Sequence, residues 1–406
     1  VEYKMDSNYV KTEVGILPSD WEVEFLDNAA ERKSGHTPDK KIEEYWNGNI
    51  PWISLKDLSK LNRGYVYETT DYTTIEGIKN SSAVLLPPGT IVISRDATVG
   101  KIGILSEEMA TSQHFINYIC GNRLDNVYLY YHLLFRNHVF ERIATGSTIK
   151  TIGLGFFKKL KVALPPIKEQ QKIASILSTW DMEIDLKEKL IEQKKLQKKG
   201  LMQKLLTGEV RLPGFDKEWK KKRIGDLIEE SKIIANSPEL DKRITVRLNL
   251  KGVCKRESTS VEKEGATTQY IRKEGQFIYG KQNLHKGAFG LIPKELNGFQ
   301  SSSDIPSFNF KEGVDSLWFY YYFSRENFYT NLENISSGTG SKRIQPKELY
   351  KLTLKLPSFN EQQRQSQILA CIDKEIYLLE KKLETYKKQK QGLMQLLLTG
   401  KVRVTV

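Results

Sequence analysis

The chain has 406 residues, of which 39% are hydrophobic, with 63 Lys and Arg against 50 Asp and Glu and a formal net charge of +13. That length suits two or three domains with real cores. No run of about 18 apolar residues exists to cross a membrane, and the polar start VEYKMDSNYVKTEV offers no apolar leader core, so a cytoplasmic protein is expected. The three cysteines, Cys120, Cys254 and Cys371, are far apart, which fits a reducing compartment and no metal cluster.

In chain order, residues 1–19 are a polar lead-in containing Leu17-Pro18. A first globular segment, 20–163, opens on Trp21 and a strand-like Glu22 to Leu26. The turn Pro87-Pro88-Gly89 precedes a strand ending at Arg95. Gly100 to Leu105 forms its hairpin partner around Asp96-Ala97-Thr98, and Ala110 to Ile116 begins another strand. Leu129, Tyr130, Leu133, Leu134, Val139 and Phe140 predict one helix over Asn126 to Ile143. A polar loop, Thr145 to Thr148, follows.

Residues 164–211 form a long helical stretch. Pro165-Pro166 and Glu169 stand at its start, and Gly208 follows Leu-Thr at its end. About 38 proline-free residues would make a rod of roughly 57 Å. A second globular segment, 212–355, repeats the plan. Trp219 opens it, Gly275 to Gly280 resembles the Gly89 strand, Lys281 to Gly287 stands where the first segment has Arg95 to Gly100, and Leu317 to Phe323 resembles Leu129 to Phe135. Residues 356–406 then repeat the rod. Leu356 to Val404 aligns without a gap with Leu164 to Leu212, and about half of the aligned pairs are identical.

The second rod carries the heptad seam Leu369, Ile372, Ile376, Leu379, Leu383, Tyr386, Lys390, Leu393 and Leu397. The first carries Leu177, Trp180, Ile184, Lys187, Ile191, Lys194, Lys198, Leu201 and Leu205, with Leu186 and Leu190 as a possible second stripe. Its lysines are expected to lay their stems on the partner and keep the ammonium in water. A helix with one apolar stripe needs a partner, so the two rods are expected to pair as an antiparallel coiled coil. The fold class is therefore α/β (α+β), with two globular segments alternating with two long helices in a pseudo-twofold internal repeat. The scaffolds match while the loops differ, as two independent recognition surfaces would.

Catalytic signatures are missing from the sequence. No Asn/Asp-Pro-Pro-aromatic tetrapeptide or phosphate-cradling glycine loop occurs. The histidines lack metal spacing, with His132 and His138 poorly faced on one helical stretch, and the carboxylates are scattered. A non-catalytic chain is expected.

The LP-x-x-x-EQQ openings (Leu164 to Gln171, Leu356 to Gln363) and GLMQ-x-LLTG ends (Gly200 to Gly208, Gly392 to Gly400) resemble the specificity subunit of Type I restriction–modification systems. So do Ser34-Gly35-His36-Thr37-Pro38, Tyr45-Trp46 and Ile50-Pro51-Trp52-Ile53. The second segment lacks the Gly-x-Thr-Pro and Pro-Trp-Ile signatures. The resemblance covers nearly the whole chain. It implies target-recognition domains at 20–163 and 212–355, each reading half of a split, asymmetric sequence in double-stranded DNA. The helical spacers 164–211 and 356–406 would dock two methyltransferase subunits, with restriction subunits joining afterwards. S-adenosylmethionine, ATP and Mg²⁺ would sit on those partners, with no cofactor on this chain.

In the first domain the expected DNA-contacting residues are Lys33, Ser34, His36, Lys56, Arg95, Thr98, Gln113, Ser147 and Lys150. Arg95 and Gln113 are the base-reading candidates, because arginine suits guanine and glutamine suits adenine; the lysines suit phosphate. In the second domain they are Lys281, Gln282, Asn283, His285, Ser302, Ser341, Lys342 and Arg343. Inserting about four residues near Thr207 or Thr399 is expected to lengthen the unspecified gap of the target. The competing readings are an assembly adapter that binds only protein and a fused restriction enzyme with built-in methylation, the latter disfavoured by the missing methyltransferase motifs.

Overall fold

The structure is a computed structural model, described here for residues 8–146, 150–237, 239–257, 267–336 and 343–405. The first rod spans Ile167–Thr207 and the second Phe359–Leu398. The chain divides into two units. Unit 1 is Val1–Lys187 with Lys382–Val406, and unit 2 is Glu188–Lys381. Each unit thus owns one globular segment, the beginning of one rod and the end of the other.

In unit 1, Glu22–Phe25 pairs antiparallel with Lys161–Leu164, the strand that leads into the first rod. A five-stranded sheet runs Ala30–Ser34, Phe115–Cys120, Ile91–Ser94, Ile102–Leu105, Tyr65–Val66. Its pairs are antiparallel except the last, which is parallel. Side chains alternate across a strand. Accordingly Ile91 and Ile93 enter the core that also holds Leu129, Leu133, Ile173 and Leu177, while Val92 enters a second core with Ile53, Leu105 and Phe115. Both faces of the sheet are covered, so the central strand reads as an unbroken apolar run.

Unit 2 repeats this logic with its own residues. Lys220–Arg223 pairs with Thr353–Leu356, the strand before the second rod. A four-stranded sheet runs Ile228–Ser231, Ser307–Phe310, Phe277–Tyr279, Phe289–Leu291. Phe277 and Tyr279 join one core with Trp318, Phe319 and Leu369, and Ile278 joins another with Ile244 and Ile292.

Two expectations need correction. The helix expected over Asn126 to Ile143 is two helices, Asn126–Phe135 and Asn137–Ile143. Arg136 breaks it, donating through Nη1 to the Lys161 carbonyl at 2.6 Å. The strand expected over Ala110 to Ile116 is also two pieces. Ala110–Thr111 pairs with Trp46–Ile53, and Phe115–Cys120 belongs to the large sheet. In the helix the apolar spacing continues past Arg136, from Leu133 and Leu134 to Val139 and Phe140, so periodicity alone did not show that break.

The rods run antiparallel within each unit. In unit 1 Trp180 meets Tyr386 edge to face at 5.6 Å, and Lys390 reaches Asp181 at 2.5 Å. In unit 2 Lys198 reaches Asp373 at 2.6 Å and Lys194 reaches Glu375 at 2.8 Å. Lys194 and Lys198 therefore end on carboxylates of the facing rod, whereas the third seam lysine of the first rod, Lys187, pairs with Glu183 of its own rod at 3.0 Å. Leu186 stays 60% exposed and does not join the seam. Gly208 and Gly400, at φ +78° and +66°, close the rods in the left-handed conformation that glycine adopts without penalty.

Each EQQ motif ties its rod to the neighbouring globular segment. Glu169 accepts from the Trp21 indole at 3.2 Å and pairs with Arg403 at 2.7 Å. Glu361 accepts from the Trp219 indole at 3.1 Å and pairs with Arg211 at 2.7 Å. The next residue, Gln170, accepts from the backbone N–H of Asp125, the N-cap of Asn126–Phe135. Gln362 does the same for Asp315, the N-cap of Ser316–Phe323. Sequence alone suggested only a favourable dipole for these glutamates; their partners lie far along the chain.

Candidate nucleic-acid interface

In unit 1 the candidate interface is built where the central strand ends. Arg95 N–H donates to the His114 carbonyl at 2.9 Å, and the Arg95 carbonyl accepts from Ile152 N–H at 2.8 Å. Asp96–Ala97 pairs with Lys150–Thr151, so Lys150 lies beside the Arg95 to Thr98 loop. Ser94 Oγ donates to the Thr98 carbonyl, and Ala97 adopts φ +62°, a conformation uncommon outside glycine. The loop is thus pinned on both sides and presents a fixed shape. Asp96 lies between two side chains, 3.0 Å from His114 Nδ1 and 3.8 Å from Arg95 Nε. Arg95 Nε is buried without a hydrogen-bond partner among the described residues.

Beside this loop lies a cleft of about 210 Å³ whose lining includes Thr37, Lys40, Lys56, Ser112, Gln113 and His114. Gly35 permits its shape. A Cβ there would lie 2.2 Å from the Ser112 carbonyl, so only glycine lets the His36-Thr37 segment approach so closely. His36 N–H donates to the Thr111 carbonyl, and the His36 carbonyl accepts from the Trp52 indole at 3.2 Å. The Thr37 hydroxyl donates to the Gln113 side-chain oxygen, which leaves the exposed amide nitrogen as donor. Lys56 pairs with Asp71 at 2.9 Å. The structure therefore gathers Lys56 and Gln113 in the cleft, and Arg95, Thr98 and Lys150 at the loop. Lys33 and Ser34 lie on the edge strand, Lys33 paired with Glu31, and neither lines the cleft. Ser147 falls outside the described residues. The cleft wall also holds Lys40 and His114, which the sequence did not single out, although Lys40 closely follows the His36-Thr37-Pro38 motif.

In unit 2 Lys281, Ser302 and Arg343 gather around Asp304. Lys281 N–H donates to the Asp304 carbonyl at 2.9 Å, the Lys281 carbonyl accepts from Ile344 N–H, and Arg343 pairs with Asp304 at 3.1 Å. Gln282, Asn283 and His285 occupy the adjoining turn that ends on Gly287 at φ +73°. Ser341 and Lys342 fall outside the described residues. Next to this group opens a cavity of about 570 Å³, with Ser231, Tyr270, Arg272, Lys281 and Lys347 in its wall. Arg272 is 1% exposed. Its guanidinium donates to Ser301 Oγ at 2.7 Å and to Ser307 Oγ and the Ser231 and Ile305 carbonyls at 3.0 Å. Burial pushes its pKa down to about 10. Sequence carried no sign of it, because a buried arginine looks like any other arginine.

Among the described residues no group of three or more His, Cys, Asp or Glu is placed to hold a metal, and no helix is long and apolar enough to cross a membrane. The surfaces offer fixed loops with ammonium, guanidinium and amide donors. Such groups can contact phosphate oxygens and base edges.

The profile of the family described as Type I restriction modification DNA specificity domain matches residues 18–195 and again residues 216–387. The chain belongs to this family of specificity subunits. A putative Type I restriction enzyme specificity subunit of Methanocaldococcus jannaschii, MjaX, is 28% identical over 440 residues, covering 100% of this chain and 99% of the relative. The MjaIX specificity subunit of the same organism is 28% identical over 339 residues, covering 76% and 77%. The EcoR124I/EcoR124II specificity subunit of Escherichia coli is 31% identical over 154 residues, 36% of this chain and 37% of that subunit. The fold also matches a crystal structure of a Type I system S subunit from M. genitalium, with a TM-score of 0.57 at 14% identity over 97% of this chain and 98% of that one.

Proposed function

We propose that this specificity subunit reads a split, asymmetric target in double-stranded DNA, with one globular segment per half-site. In this reading residues 20–163 and 212–355 are the target-recognition domains. The spacers 164–211 and 356–406 carry two methyltransferase subunits and, through them, restriction subunits. S-adenosylmethionine, ATP and Mg²⁺ belong to those partners.

The observation that carries the reading is the contrast inside one chain. The Glu–Trp–Arg ties and glutamine–N-cap ties recur in both units, whereas the loops at the sheet ends share almost no polar residue. Repeated framing around unlike loops is what reading two unlike sequences requires. Arg95 and Gln113 are base readers in unit 1. Lys33, Lys56 and Lys150 contact phosphate, and Ser34, His36, Thr98 and Ser147 complete the set of DNA-contacting residues. In unit 2 Lys281, Gln282, Asn283, His285, Ser302, Ser341, Lys342 and Arg343 fill the corresponding roles.

Selection from a random-sequence duplex pool, with the full chain assembled on its methyltransferase partners, tests this. Two short motifs at constant spacing, with affinity falling steeply as salt rises, are expected. Enrichment of nothing would reject it in favour of a protein-only adapter.

A further inference from the structure

The cavity of unit 2 holds an unusual set of groups. Arg272 is fully buried, and no carboxylate of the described residues lies within ion-pairing distance; its hydrogen bonds go to hydroxyls and carbonyls. A buried charge is costly unless it is paired. Here the dipoles satisfy the donors, the Tyr270 ring lies 5.3 Å from the guanidinium, and Glu230, the one carboxylate in the cavity wall, acts on Arg272 only from beyond ion-pairing distance. Ser231, 5% exposed, lines the same cavity, and its Oγ has no hydrogen-bond partner among the described residues. Lys281 and Lys347 stand in the wall without a carboxylate partner among the described residues, while Lys232 is paired with Glu230 at 3.2 Å. Aligning the segments on Gly89 and Gly275 puts the buried apolar Leu86 where Arg272 stands. The device is therefore a property of unit 2 and not of the shared scaffold.

We infer that this cavity seats one backbone phosphate of the DNA duplex, with Arg272 supplying a fixed positive field from beneath and Ser231 Oγ, Lys281 and Lys347 supplying the direct donors. The inference rests on the proposed DNA reading and deepens it. It separates Lys281, a phosphate contact, from the base readers of the same segment. A phosphate fits because it is an anion that accepts several hydrogen bonds, and the cavity wall sets Lys232, Arg272, Lys281 and Lys347 against a single carboxylate, Glu230, which Lys232 already holds. A phosphate contact positions the protein without specifying sequence.

The test uses the full chain on its methyltransferase partners and duplexes in which single phosphates are replaced by neutral methylphosphonates. One replacement in the half-site read by unit 2 should weaken binding by the wild type. The double variant Lys281→Gln/Lys347→Gln should be indifferent to that same replacement. The variant should bind all sequences more weakly, with a salt slope shallower by about 0.9 and the selected motifs unchanged. Ser231→Ala, a milder change, should shift binding the same way if the double variant folds poorly.

An unchanged interference map with altered motifs would overturn the inference, because the cavity would then read bases. Unchanged binding by the variant would also overturn it. So would stabilisation of the wild type alone by inorganic phosphate, with duplex binding equal in the two, since the source would then be a free phosphate. A wild type that selects no motif, yet shows the same drop in salt slope on random duplex, would reject the sequence reading and keep the phosphate seat.

Discussion

Replacing Arg211 with methionine tests the tie that joins the second rod to its globular segment. Arg211 holds Glu361 through two hydrogen bonds, Nε to Oε1 at 2.7 Å and Nη2 to Oε2 at 2.9 Å, and its guanidinium lies 5.5 Å from the Trp219 ring centre. The Glu361 side chain is 1% exposed and that of Arg211 29%. Arg211→Met keeps much of the stem but leaves a buried carboxylate with only the Trp219 indole and a 3.5 Å contact from Gln365. Removing one member of a buried pair costs about 3–5 kcal/mol. Solvent already competes for the arginine, which favours the lower end, about 3 kcal/mol. Chemical denaturation of wild type, Arg211→Met, Glu361→Leu and the double variant gives the coupling, expected at roughly 2 kcal/mol or more. Amide exchange over residues 359–366 should accelerate in Arg211→Met. A loss below about 1 kcal/mol, or additive effects in the cycle, would refute the reasoning.

Three further outcomes are expected. His132 is 3% exposed, stacks on Tyr128 at 5.9 Å, and burial, with the Arg136 charge adding to it, holds its imidazole down at about 3. The unfolded chain takes up that proton below pH 6.5 and the folded chain does not. Acidification from pH 7 to pH 5 should therefore destabilise the fold by about 2 kcal/mol. Urea midpoints at both pH values should show the loss shrinking in His132→Leu, and equal losses would refute it. Gly208→Ala should cost about 1 kcal/mol for the left-handed backbone, its Cβ meeting Trp219 at an ordinary 3.4 Å. Gly400→Ala should cost at least about 1 kcal/mol more, because its Cβ would lie 2.3 Å from Pro18 Cγ; thermal melts of the two variants decide the order. Arg95→Ala should relax preference at one base pair of one half-site by about 1–3 kcal/mol. Uniform weakening across all sequences, measured by selection, would make Arg95 a phosphate contact instead.

The rods were legible because both copies carry the same punctuation, proline and glutamate at the start and Leu-Thr-Gly at the end, and because a heptad seam is a local pattern. The hairpin of Ile91–Ser94 and Ile102–Leu105 was legible for the same reason. The break at Arg136 was not. It depends on a carbonyl of Lys161 far along the chain, and apolar spacing continues through it. The change of sheet between Thr111 and Phe115 likewise follows from pairing partners that local sequence does not name. At the candidate interface, lysines and glutamines in loops are visible as residue types. Their grouping is a tertiary fact, and Arg272 shows it best. It reads as an ordinary surface cation, yet it lies beneath Ser231, Ser301 and Ser307 contacts supplied by three other segments.

The division of the chain also sets the order in which the residues of the two cores are made. Unit 2 is one uninterrupted stretch, Glu188–Lys381, nested within unit 1. All of its core residues are synthesised before the final stretch of unit 1, Lys382–Val406. Unit 1 must wait for Met394, Leu397 and Leu398 to fill its core and for Arg403 to neutralise Glu169. A released chain truncated after Lys381 would carry every residue of one unit and leave the other with an open seam and a stranded carboxylate. Quality control by chaperones or proteases would meet that open seam first.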